Sequence, residues 1–270
     1  MCRICKVDFQ LLINCVIPDF FLQARSHIIS DAMKTYHYTR VFLVTSLFAI
    51  SSSLCAAEYP AAIEQALQKA GTNRPQIEIA LNRVQADRRE GLEFLVVNMP
   101  ERDLTTLSAD FLLDNTDGAY EVLESVPWGT LVPKDLFLNE ILPYCCINER
   151  RDNWRRDFMK RFLPLVEGCK TPAAAATKLN GEIFRLLGVR YSTERSKPDQ
   201  SPYESIGEQK ASCTGLSILL IDACRAVGVP ARFAGIPVWP NSGGNHSWVE
   251  IWDNGWHFTC LLYTSPSPRD

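Results

Sequence analysis

Two residues of this chain have the types and surroundings of a thiol nucleophile and its base. Cys213 stands in Ser212-Cys213-Thr214-Gly215, immediately before an apolar, helix-length run from Leu216 to Val227. The thiolate is the attacking form of cysteine, and a helix N-terminus favours it through unpaired N–H groups and the positive end of the dipole. Periodicity taken alone favours a small, inert core cysteine over a nucleophile. The second residue, His246, opens the run His246–Trp252. Strand alternation there puts His246, Trp248, Glu250 and Trp252 on one face and Ser247, Val249 and Ile251 on the other. A histidine at such a strand start, facing a helix N-terminus, can accept the thiol proton. The Gly-rich Asn241-Ser242-Gly243-Gly244-Asn245 before it reads as an open loop for substrate approach. Asn245-His246-Ser247 also matches a glycosylation acceptor, which a strand start beside an active site disfavours.

The surrounding elements must hold these two residues in place. Gly228-Val229-Pro230 stops the Cys213 helix, and Ala231 to Gly235 is strand-like. Asp253-Asn254-Gly255 is a hairpin turn in which Asp253 has a structural role. Upstream, Thr171-Pro172 predicts an N-cap and first helical position for a helix over 173–187, with Leu179, Ile183, Phe184 and Leu187 inward and Gly188 as its C-cap. Val189 to Tyr191 is strand-like, and Ser192 to Gly207 reads as a polar surface loop leading to Cys213.

From Glu58 to Cys169 the pattern is helical. Ala61 to Leu67 forms an amphipathic segment ended by Gly71, and Pro75 to Arg89 follows. Gly91 breaks that run, and Leu92 to Val97 fits a short helix or a buried strand. Asp103 is the expected N-cap for Leu104 to Leu113. Pro133 opens and Pro143 closes a further helical segment. In the last one, Asn153 to Val166, the residues Trp154, Phe158, Phe162 and Leu165 share one face as core. Arg150-Arg151 and Arg155-Arg156 alternate with Asp152 and Asp157, the pattern of a solvated helix face.

Apolar residues make up 46% of the chain and charged ones 22%, as in ordinary globular proteins, and the net charge of −3 gives no electrostatic case for nucleic acid. Met33 to Arg40 is basic, Val41 to Ile50 apolar, and small residues precede Glu58, so 33–57 reads as a secretory signal cleaved near Ala57. Residues 1–32 lie upstream of that signal and read as a non-native extension. The expectation is an exported protein, periplasmic or extracellular, with no stable membrane span after cleavage. Disulfides are permitted in that setting, and one of the adjacent Cys145 and Cys146 could pair with Cys169. Cys224 lies about 16 Å along the helix from Cys213 and cannot bridge to it. No metal-ligand spacing occurs, and no cofactor is expected.

Cys213-Thr214-Gly215-Leu216-Ser217, then Ala226-Val227-Gly228-Val229-Pro230-Ala231-Arg232, then His246-Ser247-Trp248-Val249-Glu250 and Gly255-Trp256 resemble the core of the transglutaminase-like superfamily over roughly 175–259. The resemblance implies an α+β, papain-like fold: a helical N-terminal region over 58–170, then a core over 171–259 with the Cys helix packed on an antiparallel sheet. It implies Cys213 as nucleophile, His246 as general base and acid, and acyl transfer on amides of a peptide or protein substrate through a thioester. An orienting Asp is expected soon after Trp256. The strand pattern instead stops at Thr259, and 260–270, with Asp270, reads as an artefactual tail that leaves the core truncated and its third residue lost. For the oxyanion, Gln209 is the nearby side-chain donor that can be named beside the Cys213 backbone N–H. Hydrolysis is favoured over cross-linking because water is the abundant acceptor; the alternative is a non-catalytic binding or scaffold module of the same fold.

Overall fold

The computed structural model describes residues 59–238 and 244–259. The sequence expectations for 1–57, for the tail 260–270 and for most of the Gly-rich loop lie outside the described residues. Helices α1 (Ala61–Lys69), α2 (Arg74–Arg83), α3 (Arg89–Asn98), α4 (Glu101–Leu104) and α5 (Ala109–Ser125) come first. The short α6 (Lys134–Leu136) runs into a π-helical turn over Phe137–Ile141, and α7 (Arg155–Val166) and α8 (Pro172–Leu187) follow. The remainder alternates: β1 (Arg190–Tyr191), α9 (Pro202–Glu208), β2 (Lys210–Ala211), α10 (Cys213–Ala226), then β3 (Ala231–Ile236), β4 (His246–Trp252) and β5 (Trp256–Thr259).

Two apolar cores share this framework. Ile77, Leu81, Leu92, Leu95, Leu112 and Ile141 belong to the first, which gathers α1 to α5 and the π turn. The second gathers α7, α8, α10 and the sheet, and it also takes Val122 from α5 and Val126 and Trp128 just beyond that helix. Every residue of α10 is buried. A helix buried on all sides needs no amphipathic stripe, and Leu216, Ile218, Leu219, Leu220 and Ile221 are all at 0% exposure. Each such side chain contributes roughly 1.5–3 kcal/mol relative to an exposed one.

The seam between the cores is polar. Arg155 donates from Nε to Asn115 Oδ1 at 2.7 Å and from Nη2 to the carbonyls of Ile141, Leu142 and Pro143 at 2.8, 3.1 and 3.1 Å. Arg225, on α10, donates to the carbonyls of Glu140, Pro143, Cys145 and Ala231. The carbonyls at a helix end have no intrahelical partner, and two guanidinium forks supply the donors that the end of the π turn lacks. These contacts correct the reading of the basic cluster as a solvated face for Arg155, whereas Arg150 and Arg156 keep solvent-facing side chains. Arg155 is 1% exposed and Asp152 7%, because the carbonyls that Arg155 serves and the Tyr203 N–H from which Asp152 accepts lie inside.

Other corrections have local causes. Gly91 lies within α3 and does not break it; a Cβ there would come within 2.8 Å of the Tyr120 ring, so close packing requires the glycine. Leu92 to Val97 is helical, the first of the two readings. The N-cap of α5 is Ser108, whose hydroxyl accepts from Phe111 N, while Asp103 is buried and accepts from Arg151 and Tyr144. The supposed loop 192–207 contains α9, started by a reciprocal capping box between Ser201 and Glu204 with Pro202 at its first position. The helix after Thr171 and its left-handed Gly188 cap occur as expected. Cys145, Cys146 and Cys169 are free thiols, with no disulfide between them.

The sheet has the order β3-β4-β5, antiparallel throughout, with Ile236 opposite His246 and Trp252 opposite Trp256. Its inner face follows the alternation read from the sequence: Ser247, Val249 and Ile251 are buried, and the residues between them are half-buried. A second, parallel pair joins β1 to β2 just ahead of Cys213. The fold is α+β, with the cysteine-bearing helix against a small antiparallel sheet.

Candidate active site

Cys213 is the first residue of α10 and is 9% exposed. Ser212 caps the helix. Its hydroxyl accepts from Gly215 N at 3.1 Å and donates to the Pro198 carbonyl at 2.6 Å, which ties the preceding loop to the cap. Capping satisfies one of the orphan donors of the first turn and leaves others directed out of the helix end. Among the described residues, the backbone N–H groups of Cys213 and Thr214 meet no acceptor. N–H groups so placed can stabilise negative charge that develops on a carbonyl oxygen beside the thiol.

His246 begins β4 and is half-buried, its ring 6.2 Å from that of Trp248. Burial lowers its pKa from the ordinary 6.5, because a low-dielectric surrounding penalises the charged imidazolium. The neutral, proton-accepting form is thereby favoured. Between the two elements runs a direct polar link: Thr214 Oγ1 and Ser247 Oγ are 3.1 Å apart, both buried. These are the residues immediately after Cys213 and His246, so the helix start and the strand start are joined at their second residues. Sequence reasoning missed this pair; the small hydroxyl directly after each candidate residue is the signal that could have shown it.

Gln209, expected as an oxyanion donor, has its side chain beside Gly188. It ends α9 in the left-handed conformation, φ 55°, exposed to solvent. Its Nε2 would be 3.3 Å from a Cβ at Gly188, and the extended residues Lys210 to Ser212 separate it from the cysteine. A different glutamine packs on the first turn of α10. Gln200 is fully buried, its Cβ 3.6 Å from a Cβ placed at Gly215. Its amide lies toward the Glu208 carboxylate without reaching hydrogen-bond geometry.

On the outer face of the sheet, Arg232 donates to Glu250 at 2.8 Å and lies over the Trp256 ring at 3.7 Å. Glu250 therefore completes an ion pair. Asp253 Oδ2 accepts from Ala173 N at 3.1 Å and ties the β4–β5 turn to the start of α8, the structural role expected of it. No group of three or more His, Cys, Asp or Glu side chains suited to a metal occurs among the described residues.

Residues 161–259 match the family model of the transglutaminase-like superfamily. This segment is a transglutaminase-like core. The match begins inside α7 and takes in the Cys213 helix and all three strands of the antiparallel sheet. Among solved structures, the chain is similar to one described as a "putative cysteine protease" from Cytophaga hutchinsonii, with 19% identity and a TM-score of 0.38. The similarity covers 48% of this chain and 43% of that one, so the chain spans less than half of that protein's length. A comparison with curated proteins finds no match.

Proposed function

We propose that the transglutaminase-like core is a thiol acyl-transfer site, with Cys213 as nucleophile and His246 as general base and then acid. The observation that carries this reading is the junction of two chemically matched ends. A cysteine heads a fully buried helix, a histidine heads the facing strand, and Thr214 and Ser247 hold the two starts together. In the reaction, His246 takes the thiol proton and the sulfur adds to an amide carbonyl. The C–N bond breaks and the departing amine receives the proton, leaving a thioester. Water, activated by the same imidazole, then releases the acid and restores the thiol. Hydrolysis of a peptide or isopeptide bond is the favoured outcome, on a protein exported by the 33–57 signal. No helix among the described residues is long and apolar enough to cross a membrane.

Alkylation by iodoacetamide at pH 7, read peptide by peptide in a mass spectrometer, tests the proposal. Cys213 should react faster than a free thiol, and His246→Ala should slow it. Reaction at the free-thiol rate, unchanged in the His246 variant, would leave the binding-module reading in its place.

A further inference from the structure

We infer that Thr214 and Ser247 are positioning residues for acyl transfer, setting the register of the cysteine helix against the histidine strand. The inference rests on the proposed roles of Cys213 and His246. The remainder of the β4 face that packs on α10 is apolar, Val249 and Ile251 lying in the same core as Leu216, Leu219 and Leu220. Apolar packing favours contact but carries no direction. A hydrogen bond between two short side chains fixes both distance and angle. Both side chains are almost fully buried, Thr214 at 8% and Ser247 at 4% exposure, so water cannot substitute for either partner.

Placement gives the bond its leverage. Thr214 is the second residue of α10 and Ser247 the second of β4, each one position beyond the group proposed to react. A shift at this contact is passed through a single residue to the thiol on one side and the imidazole on the other. Thr214 is also β-branched and stiff at χ1, which suits a fixed anchor. The next hydroxyl along the helix, that of Ser217, is buried and meets no partner. Among the described residues, Thr214 is thus the hydroxyl of this helix that ties it to the sheet.

The test uses the full chain and p-nitrophenyl acetate, whose acetyl group passes to the thiol as p-nitrophenolate leaves, water then cleaving the thioester. Thr214→Val keeps the shape and removes the hydroxyl. It should lower kcat by about 10- to 100-fold with KM changed by less than about twofold, since small misplacements of reacting groups act on rate more than on binding. Thr214→Ser, which restores the hydroxyl, should recover most of that rate. Ser247→Ala breaks the bond from the strand side and should reproduce the Thr214→Val loss; the double variant should be no slower than either single one, as for two ends of one contact. Should Thr214→Val fail to fold, Ser247→Ala alone decides. A wild-type kcat in the variant that folds overturns the inference, as does equal loss in Thr214→Val and Thr214→Ser. Cys213→Ala separates this failure from that of the proposed function: wild-type turnover in Cys213→Ala removes the nucleophile itself, whereas a dead Cys213→Ala beside a fully active Thr214→Val removes the positioning role alone.

Discussion

Replacing Gly129 with alanine should be among the most damaging single changes outside the site, for a reason visible in the packing. A Cβ at Gly129 would lie 1.8 Å from the Leu123 carbonyl oxygen and 2.6 Å from its carbon. Both atoms are backbone of α5, so no side chain can swing aside; the helix end would have to retreat by more than an ångström. Overpacking a core costs about 1–3 kcal/mol where side chains can adjust, and a backbone collision belongs at or above the top of that range. With about 2–4 °C of Tm per kcal/mol for a domain of this size, the midpoint should fall by roughly 6–12 °C or more. The neighbouring residue raises the stakes for the site, because Trp128 Nε1 donates to the Gly228 carbonyl at 2.9 Å, just past the end of α10. Gly168→Ala provides the contrast. That residue has φ +83° but nothing within 4 Å of where a Cβ would stand, so the change should cost only the left-handed backbone penalty of about 1–2 kcal/mol. Thermal and urea unfolding followed by circular dichroism measure both. A Gly129→Ala protein within about 1 kcal/mol of the wild type, or less affected than Gly168→Ala, would refute the close-approach reasoning.

Two further expectations concern titration. Burial holds His246 below its ordinary 6.5, so the acidic limb of kcat/KM for p-nitrophenyl acetate should fall below pH 6.5; a limb above pH 7 would contradict it. The same lowered value means that the unfolded chain binds the proton more tightly, so the stability from a neutral His246 is present above pH 6.5 and lost as pH falls through the folded value. For Asp222 the sign is opposite. Burial pushes its carboxyl well above the ordinary 3.8, ahead of repulsion from Glu149 and against attraction from Arg225 and Arg155. The unfolded chain then loses the proton first, and stability declines as pH rises above 3.8. Asp222→Asn removes that decline, so its urea midpoint relative to the wild type should rise between pH 4 and pH 8; a relative fall would show that Asp222 is held as a favourable anion.

What the sequence made legible was whatever repeats along a single element. The alternation over 246–252 marked β4 residue for residue, and Thr171-Pro172 with Gly188 bounded α8. The resemblance carried by Cys213-Thr214-Gly215 and the His246 run located the core that the family match also covers. Contacts between distant elements were not legible. Arg155 reads as surface until the three carbonyls it serves are placed around it. Asp103 has the type and position of an N-cap, yet Arg151 and Tyr144 claim it. Loop composition hid α9, although Ser201-Pro202-Tyr203-Glu204 contains the full capping-box pattern. Nearness in sequence favours Gln209, but the left-handed turn that ends α9 places its side chain beside Gly188.

The polar seam and the second core extend beyond the segment that the family match covers. The family match begins at residue 161, but Trp128, Trp154 and Phe158, which lie before it, are buried in the core that holds α10. The guanidinium of Arg155 and the carbonyls of Glu140, Pro143 and Cys145 that Arg225 engages also precede the match. A fragment cut at the edge of the recognisable core would carry the cysteine and the histidine yet lose Trp128, Trp154 and Phe158 from the core around the helix, and among the described residues Arg225 would keep only the Ala231 carbonyl of its backbone partners. The roles proposed for Cys213 and His246 would therefore depend on packing by residues that the family match does not contain.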